Sequence, residues 1–164
     1  MLCPALCFGS LAVHPDSQNK GLGRALVTAT FSTAQQLGLD DSRSLIKEDN
    51  RPSQRCFSSV DYSCDTPCYE MLFWPPDKSA ATEEHITPSP LSIDTLTYRG
   101  IWIGDLEKLD QQQQLSAVAH ARACCAEQNR DSASTLLKRD AILHAELRST
   151  ARSNGFYQWW QRAL

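Results

Sequence analysis

The chain has 164 residues, which is room for one ordinary domain or for two small units packed together. Apolar residues make up 41% of it, enough for a hydrophobic core, so extensive disorder is excluded. With 16 basic against 19 acidic side chains, the net charge is −3, which argues against nucleic-acid binding as the main function.

The seven cysteines lack the spacing of a metal site or of a disulfide framework. Their number is odd, and no CxxC pair is followed by a second pair or by spaced histidines. We therefore expect no metal and expect free thiols in a reducing compartment. The apolar start lacks the basic leader of a signal peptide and is too short to span a bilayer. These features predict a cytoplasmic protein that does not enter the membrane.

The first half begins with a short apolar run, residues 6–13, that predicts a buried strand. A helical pattern follows from Gly21 and ends at Gly38, which supplies a C-terminal cap. The positions that recur at helical spacing, and so predict one face of this helix, are Leu26, Thr30, Thr33 and Leu37.

Residues 44–47 predict a second strand. Asn50 then predicts the N-cap of a short helix, with Pro52 in its first turn, where proline is tolerated. Residues 68–74 predict a third strand, and two prolines end it.

Residues 75–90 are rich in proline, serine, threonine and charge, and they predict a linker. Beyond it, residues 97–106 predict a strand. Asp110 and Gln113 then have the spacing of a capping box, which predicts a helix through Ala126.

The last part repeats the alternation of strand and helix. Residues 135–140 predict a strand, and Asp140 predicts the cap of a helix that Gly155 ends. The positions that share a face of this helix are Leu143, Leu147 and Ala151.

The two halves match each other at a constant offset. SLIKED at 44–49 aligns with TLLKRD at 135–140, and LAVHP at 11–15 aligns with IWIGD at 102–106, without a gap between them. This match predicts an internal duplication of a strand–helix–strand–helix–strand unit.

The segment QNKGLG, residues 18–23, has the composition of a phosphate-binding loop. A helix N-terminus carries unpaired backbone N–H groups and partial positive charge, which attract phosphate. Gly21 and Gly23 would let the phosphate approach the backbone without a Cβ in the way. On these residues alone, a tight turn that needs glycine only for its dihedral angles stays open. A Walker-type loop is disfavoured because Arg24 stands where that motif needs lysine.

In its context this loop resembles the acetyl-CoA loop of the GNAT superfamily of N-acetyltransferases, Arg/Gln-x-x-Gly-x-Gly/Ala after a Val-x-Pro-like turn. The matching residues are Val13-His14-Pro15 and Gln18-Asn19-Lys20-Gly21-Leu22-Gly23, followed by Arg24. The second motif of that family is matched by Asn50, Ser53, Cys56-Phe57 and Asp61-Tyr62. The resemblance covers residues 6–74. It implies an α/β fold with a mixed sheet and flanking helices, the GNAT-like acyl-CoA N-acyltransferase core.

The resemblance also implies acetyl-CoA as the cosubstrate and assigns residues to it. The main chain of Leu11, Ala12 and Val13 would pair with the pantetheine arm like an added strand. Asn50 and Ser53 would hydrogen-bond the cofactor, while Lys20 and Arg24 would add charge near its 3′-phosphate. The backbone amides that would hold the pyrophosphate are those of Gln18, Asn19, Lys20, Gly21, Leu22, Gly23 and Arg24.

The sequence departs from the family at the catalytic positions. The tyrosine that often protonates the leaving thiolate is replaced by Phe57. Cys56 and Tyr62 are substitutes only by their proximity, and each is more typical of a packing residue. Residues 6–13 contain no acid to serve as base, and His14 is more typical of a turn. The catalytic residues therefore stay unassigned.

Two further departures concern the extent of the domain. Only ten residues precede Leu11, so the N-terminal part of the domain is expected to be missing. Either the gene model is truncated, or the chain is a true half-domain that is completed by its second half or by another copy, as in a homodimer. The residues that correspond to the loop glycines are Gln112, Gln113, Gln114 and Leu115. We therefore expect a GNAT-like acetyl-CoA-binding half-domain over 1–74, the linker over 75–90, and a degenerate GNAT-like repeat of structural role over 91–164.

These observations predict an N-acetyltransferase that transfers acetyl directly from acetyl-CoA to an amine of a small molecule or peptide. The alternative is a catalytically impaired CoA-binding or protein-interaction module derived from a GNAT domain. Phe57 and the missing N-terminal part favour that alternative, whereas the intact loop favours the enzyme.

Overall fold

The computed structural model describes residues 5–8, 11–79, 90–94 and 98–164. Most of the predicted linker, residues 80–89, and the first residue of the strand predicted over 97–106 lie outside the described residues. The fold is a mixed α/β fold, as predicted, and it forms two compact units. The first unit is Met1–Cys68 with Tyr157–Leu164, and the second is Tyr69–Phe156.

The first unit builds a mixed sheet from strands that are distant in sequence. Strand β1 (Ala5–Phe8) pairs in parallel with β2 (Asp41–Lys47). The other edge of β2 pairs antiparallel with β7 (Arg152–Ala163), in a register that sets Lys47 opposite Tyr157. β1 is shorter than the strand predicted over 6–13, since residues 11–14 have no strand structure and residues 9–10 lie outside the described part.

Two helices pack on this sheet, α1 (Leu22–Gln36) and α2 (Arg51–Ser58). The core that they share with the strands is aromatic and aliphatic, and it consists of Val27, Phe31, Ile46, Phe57, Val60 and Tyr62. The rings of Phe57 and Tyr62 meet edge to face, 5.0 Å apart, which is a favoured aromatic geometry. Phe57 is thus a core residue, 2% exposed.

The face of α1 that was predicted from helical spacing, Leu26, Thr30, Thr33 and Leu37, is not the face that packs into the core. Leu26 is 44% exposed and Leu37 is 66% exposed, while Val27, Phe31 and Ala34 are buried instead. Both stripes have helical spacing, and α1 carries a single charged residue, Arg24, so no polar face distinguishes them. The predicted cap at Gly38 is confirmed, with φ +66° and its N–H donating to Gln35.

The strands of the second unit also pair in both orientations. The second half of β3 (Ser63–Trp74) pairs antiparallel with β6 (Ser132–Lys138), which pairs in parallel with β5 (Arg99–Trp102). β4 (Leu91–Asp94) pairs antiparallel with β5. Helices α3 (Gln111–Glu127) and α4 (Ala145–Thr150) complete this unit. Its buried cluster includes Leu72, Trp74, Ile101, Val118, Leu137 and Leu147.

The helix starts in the second unit follow the sequence in one case and not in the other. Asp110 and Gln113 form the predicted capping box of α3. Asp140, in contrast, does not cap α4: His144 does, because its ring accepts from the N–H of Glu146 at 3.2 Å. Gly155 does not end that helix, since it lies within β7.

The two halves repeat the same order of elements. Short 3₁₀ turns occur at Pro15–Ser17 and at Leu106–Lys108, and the strands Asp41–Lys47 and Ser132–Lys138 have equal length. Both pairs have the offset of the predicted sequence match, so residue 15 corresponds to 106 and residue 41 to 132. This common order supports the predicted duplication.

Candidate active site

One cleft of the first unit gathers the residues of the glycine loop and of α2. It has a volume of about 740 Å³. All the predicted cofactor-binding residues except Lys20 line it, together with Ser17, Pro52, Arg55 and Cys56. The Lys20 ammonium instead donates to the backbone oxygen of Asp16 at 2.7 Å.

The glycine loop turns the chain sharply into α1. Asn19 and Gly21 both have positive φ, +59° and +80°, a backbone region that asparagine and glycine tolerate best. The Gln18 side chain fastens this loop by donating to the Val13 carbonyl at 3.1 Å. The loop geometry therefore depends on the residue types that the sequence motif contains.

The N-terminus of α1 is left without a side-chain cap. Within the described part of the chain, the first-turn amides of Leu22, Gly23 and Arg24 have no hydrogen-bond acceptor. The other three α-helices described are capped by Asn50, Asp110 and His144. Since Leu22, Gly23 and Arg24 all line the cleft, the donors of this helix start are available to an anionic group there.

Gly23 lies at the floor of the cleft, where a Cβ would be in ordinary contact with the opposite wall. A Cβ at this position would lie 3.4 Å from Cys56 Sγ and 4.0 Å from Val13 Cγ2. The hydrogen of glycine thus leaves room at the floor of the cleft. Gly21, by contrast, faces open space, and its role is its positive φ.

Asn50 lies on the α2 side of the cleft and also begins that helix, as predicted. Its side-chain oxygen accepts from the N–H of Ser53 at 3.2 Å. Gln54 braces the turn before it, donating to the carbonyl of Glu48 at 2.9 Å. These bonds hold the start of α2 at the rim of the cleft.

Of the two residues near the position of the missing tyrosine, Cys56 lines the cleft and Tyr62 does not. Tyr62 is 4% exposed, and its hydroxyl shares a 2.6 Å hydrogen bond with the Ser42 hydroxyl, away from the residues that line the cleft. The Cys56 thiol lines the cleft. Burial raises the pKa of this thiol, and the nearby Arg24 guanidinium offsets part of that rise. Cys56 is therefore protonated at neutral pH and can serve as a proton donor.

His14 behaves as the turn residue that its position suggests. Its ring accepts from the N–H of Asp16 at 3.4 Å and caps the 3₁₀ turn, and it does not line the cleft. The sequence reasoning missed Arg55 and Cys56 as cleft residues. Helical spacing was the available signal, because Pro52, Arg55 and Cys56 are three and four positions apart and share a face of α2.

In the second unit, the position that corresponds to Gly23 is occupied by the side chain of Gln114. Gln114, which aligns with Gly23, is 2% exposed, and its amide donates to the carbonyl oxygens of Leu106, Leu109 and Ile142. Its oxygen accepts from the N–H of His144 at 3.0 Å. Gln114 thus links the segment before α3 to the segment before α4, while the start of α3 is capped by Asp110, which accepts from the N–H of Gln113.

Comparison with known proteins finds a match over the segment that contains the cleft. The sequence profile of the Acetyltransferase (GNAT) family matches residues 5–62, which contain the loop, α1, β2 and α2. This segment is thus similar to the GNAT acetyltransferases, and the match supports acyl transfer as the general class of chemistry.

Solved structures share the fold of the chain. A GCN5-related N-acetyltransferase from Sphaerobacter thermophilus has a TM-score of 0.57 at 12% identity, over 92% of this chain and 70% of its own. A protein assigned as an acetyltransferase from Thermoplasma acidophilum has a TM-score of 0.53 at 12% identity, over 100% of this chain and 71% of its own. At this identity the likeness concerns the fold. A comparison with functionally curated proteins gives no match.

The described residues contain neither a membrane-spanning helix nor a metal-binding group. None of the helices in the described ranges is long and apolar enough to cross a membrane. Among the same residues, no group of three or more histidine, cysteine or acidic side chains is arranged to hold a metal ion.

Proposed function

We propose that this protein is an N-acetyltransferase that binds acetyl-CoA in the cleft of the first unit and transfers acetyl to an amine. The observation that carries the proposal is the uncapped start of α1, whose amides line a cleft that contains no carboxylate among its described residues. Acetyl-CoA supplies an acetyl group activated as a thioester. The acceptor is a small-molecule or peptide amine.

Different cleft residues suit different parts of an acyl-CoA molecule. The amides at the start of α1 suit the pyrophosphate because they are free donors at the positive end of a helix. The segment Leu11–Val13 has no strand partner on the cleft side and suits the amide-bearing pantetheine arm. Asn50 retains its NH₂ group as a donor while its oxygen caps α2.

Catalysis needs a proton donor for the departing thiolate in the cleft. Among the described lining residues Cys56 carries the one thiol, and burial keeps that thiol protonated, so it can donate a proton to the departing thiolate. Direct transfer requires the amine to be held beside the thioester carbonyl, so positioning supplies much of the rate. We also propose that the protein is cytoplasmic and that it forms a homodimer.

Ligand binding is tested by thermal unfolding with increasing acetyl-CoA, which raises the Tm of a protein that binds only when folded. We expect Asn50→Asp to weaken this stabilisation about tenfold in apparent Kd, because a carboxylate in the cleft repels phosphate while still capping α2. Gln111→Glu is the control, since it makes the same amide-to-carboxylate change at an exposed helix start in the second unit.

Catalysis is tested by following the release of free CoA thiol with a panel of polyamines, amino acids and lysine peptides. The expected result is amine-dependent release and an acetylated product identified by mass. An unchanged Tm at millimolar acetyl-CoA would overturn the cofactor assignment. Binding without acetylation of any amine would overturn the enzyme and retain the CoA-binding module.

A further inference from the structure

One face of α1 and of its C-cap contains exposed leucines instead of the charges expected on a surface helix. Four residues of this face recur at helical spacing and lie within about 60° of one another around the helix axis. These residues form the α1 seam: Leu26, Thr30, Thr33 and Leu37. Leu26 is 44% exposed, and Leu37, which keeps helical backbone angles, is 66% exposed. Since water still covers these leucines, the seam can bury apolar area against a partner.

The α1 seam can be covered without leaving a hydroxyl donor unpaired. The Thr30 hydroxyl donates to the Leu26 carbonyl at 2.9 Å. In the same way, the Thr33 hydroxyl donates to the Ala29 carbonyl at 3.0 Å. The charged residue of α1, Arg24, lies on another side of the helix, among the residues that line the cleft. Burial of the seam therefore removes neither a charge of α1 nor an unsatisfied donor from water.

The order of residues along the α1 seam is the same in both directions. Leucine, threonine, threonine and leucine are separated by four, three and four positions, which is the heptad spacing of a coiled coil. When two such helices pack antiparallel about a two-fold axis midway between Thr30 and Thr33, Leu26 faces Leu37 of the partner subunit. Thr30 then faces Thr33 of the partner subunit. A symmetric interface needs such a self-complementary surface, whereas a charged face would repel its own copy.

We propose that the α1 seam is the interface of the homodimer, in which α1 of two copies pack antiparallel and Leu26 of each copy faces Leu37 of the partner subunit. This inference rests on the homodimer of the proposed function and names its surface. The seam extends over three turns of helix, about 16 Å from Leu26 to Leu37. A contact of that length is small, and small interfaces belong to weak complexes. The dimer should therefore dissociate on dilution.

The test is sedimentation equilibrium of the full chain from micromolar to millimolar concentration, over which the wild type should pass from monomer to dimer. Leu26→Glu and Leu37→Arg should each raise the dimer Kd at least about tenfold, because each sets a charge against an apolar side chain. In the double variant, the introduced carboxylate of one copy faces the introduced guanidinium of the other. This variant should recover a Kd within about threefold of the wild type. Parallel packing would instead set like charges against each other.

Ile142→Glu is the control, because it sets a carboxylate at another exposed apolar site, in the second unit, and it should dimerise like the wild type. Circular dichroism and the rise of Tm with acetyl-CoA show on the same samples that each variant is folded.

Three results would overturn the proposed interface. Dimers that survive both single changes would overturn the α1 seam and retain the homodimer. A double variant that stays monomeric would overturn the antiparallel contact. A wild type that is monomeric throughout would overturn the seam and the homodimer together, whereas a rise of its Tm with acetyl-CoA would still support the proposed acetyltransferase.

Discussion

At the scale of single residues, the two loop glycines perform different tasks. Gly21 supplies a positive φ and faces open space, whereas Gly23 has ordinary helical geometry and keeps a methyl group out of the cleft. A sequence motif lists them as equivalent, but their substitutions should affect different quantities.

We predict that Gly23→Ala lowers the affinity for acetyl-CoA about tenfold without lowering the free energy of unfolding. The added Cβ meets Cys56 and Val13 at ordinary contact distances, and alanine favours a helix over glycine by about 0.5–1 kcal/mol. Gly21→Ala should instead lower the free energy of unfolding by about 1–2 kcal/mol, because its φ is left-handed. Urea unfolding and calorimetry separate the two. Equal losses of affinity and stability in Gly23→Ala would contradict the prediction.

A second residue-scale prediction concerns the alkaline limit of stability. Cys125 is fully buried, and burial raises the pKa of its thiol from 9.0 to about 11. In the unfolded chain this thiol ionises near its ordinary pKa, so above pH 9 the unfolded state binds fewer protons than the native state. The free energy of unfolding should therefore fall as pH rises from about 9 to 11, by this group's contribution.

The measurement for Cys125 is the urea midpoint at pH 8 and pH 10. Cys125→Ala removes the titrating group, so its midpoint should fall less over this interval than that of the wild type. Cys64→Ala serves as the comparison, since Cys64 is exposed. An equal fall in wild type and Cys125→Ala would show that other groups govern the alkaline limit.

At the scale of elements, the two helix starts that correspond in the repeat illustrate opposite solutions. α1 has no side-chain cap at its first-turn amides, while at α3 the Asp110 side chain accepts from the N–H of Gln113 in a capping box. The same strand–turn–helix element thus leaves its helix start uncapped in one unit and capped in the other.

We predict that Gln114→Ala lowers the free energy of unfolding by about 2–3 kcal/mol, because it leaves buried backbone groups on two segments without partners. Gln112→Ala, on the exposed side of the same helix turn, should change it by less than about 0.5 kcal/mol. Urea unfolding of both variants checks this. A similar small effect of both changes would exclude a structural role for the Gln114 amide.

At the scale of the whole molecule, the compact units do not follow chain order. The last eight residues, Tyr157–Leu164, belong to the first unit, where β7 pairs with β2 along all seven residues of β2. Trp160 and Leu164 also pack against the apolar cluster of that unit. The division into residues 1–74, a linker and residues 91–164 stays a prediction about the evolutionary repeat.

We predict that a chain ending at Phe156 loses the ordered state of the first unit. Without Tyr157–Leu164, β2 lacks its antiparallel neighbour and the cluster around Phe31 loses two apolar side chains. Hydrogen exchange should then be fast in β2 and α2, while the amides of α3 remain protected and serve as the internal control. Acetyl-CoA should no longer raise the Tm. Unchanged protection in β2 would contradict the prediction.

Local chemistry by itself determined much of the candidate site. The glycine loop, the Asn50 cap, the Gly38 cap and the capping box at Asp110 are recognisable because each depends on residues within one or two turns of chain. The fold class followed from the resemblance of these motifs to the GNAT family. These features need no knowledge of distant neighbours.

Only the tertiary structure decided which surfaces meet. It buried Val27 and Phe31 of α1 rather than Leu26, because packing against β2 and α2 decides which face of the helix is covered. It turned Arg55 and Cys56 into cleft residues and made the chain's last strand the neighbour of β2. Hydrophobic burial is non-directional, so periodicity indicates that a face is apolar while the partner that covers it is decided by the whole fold.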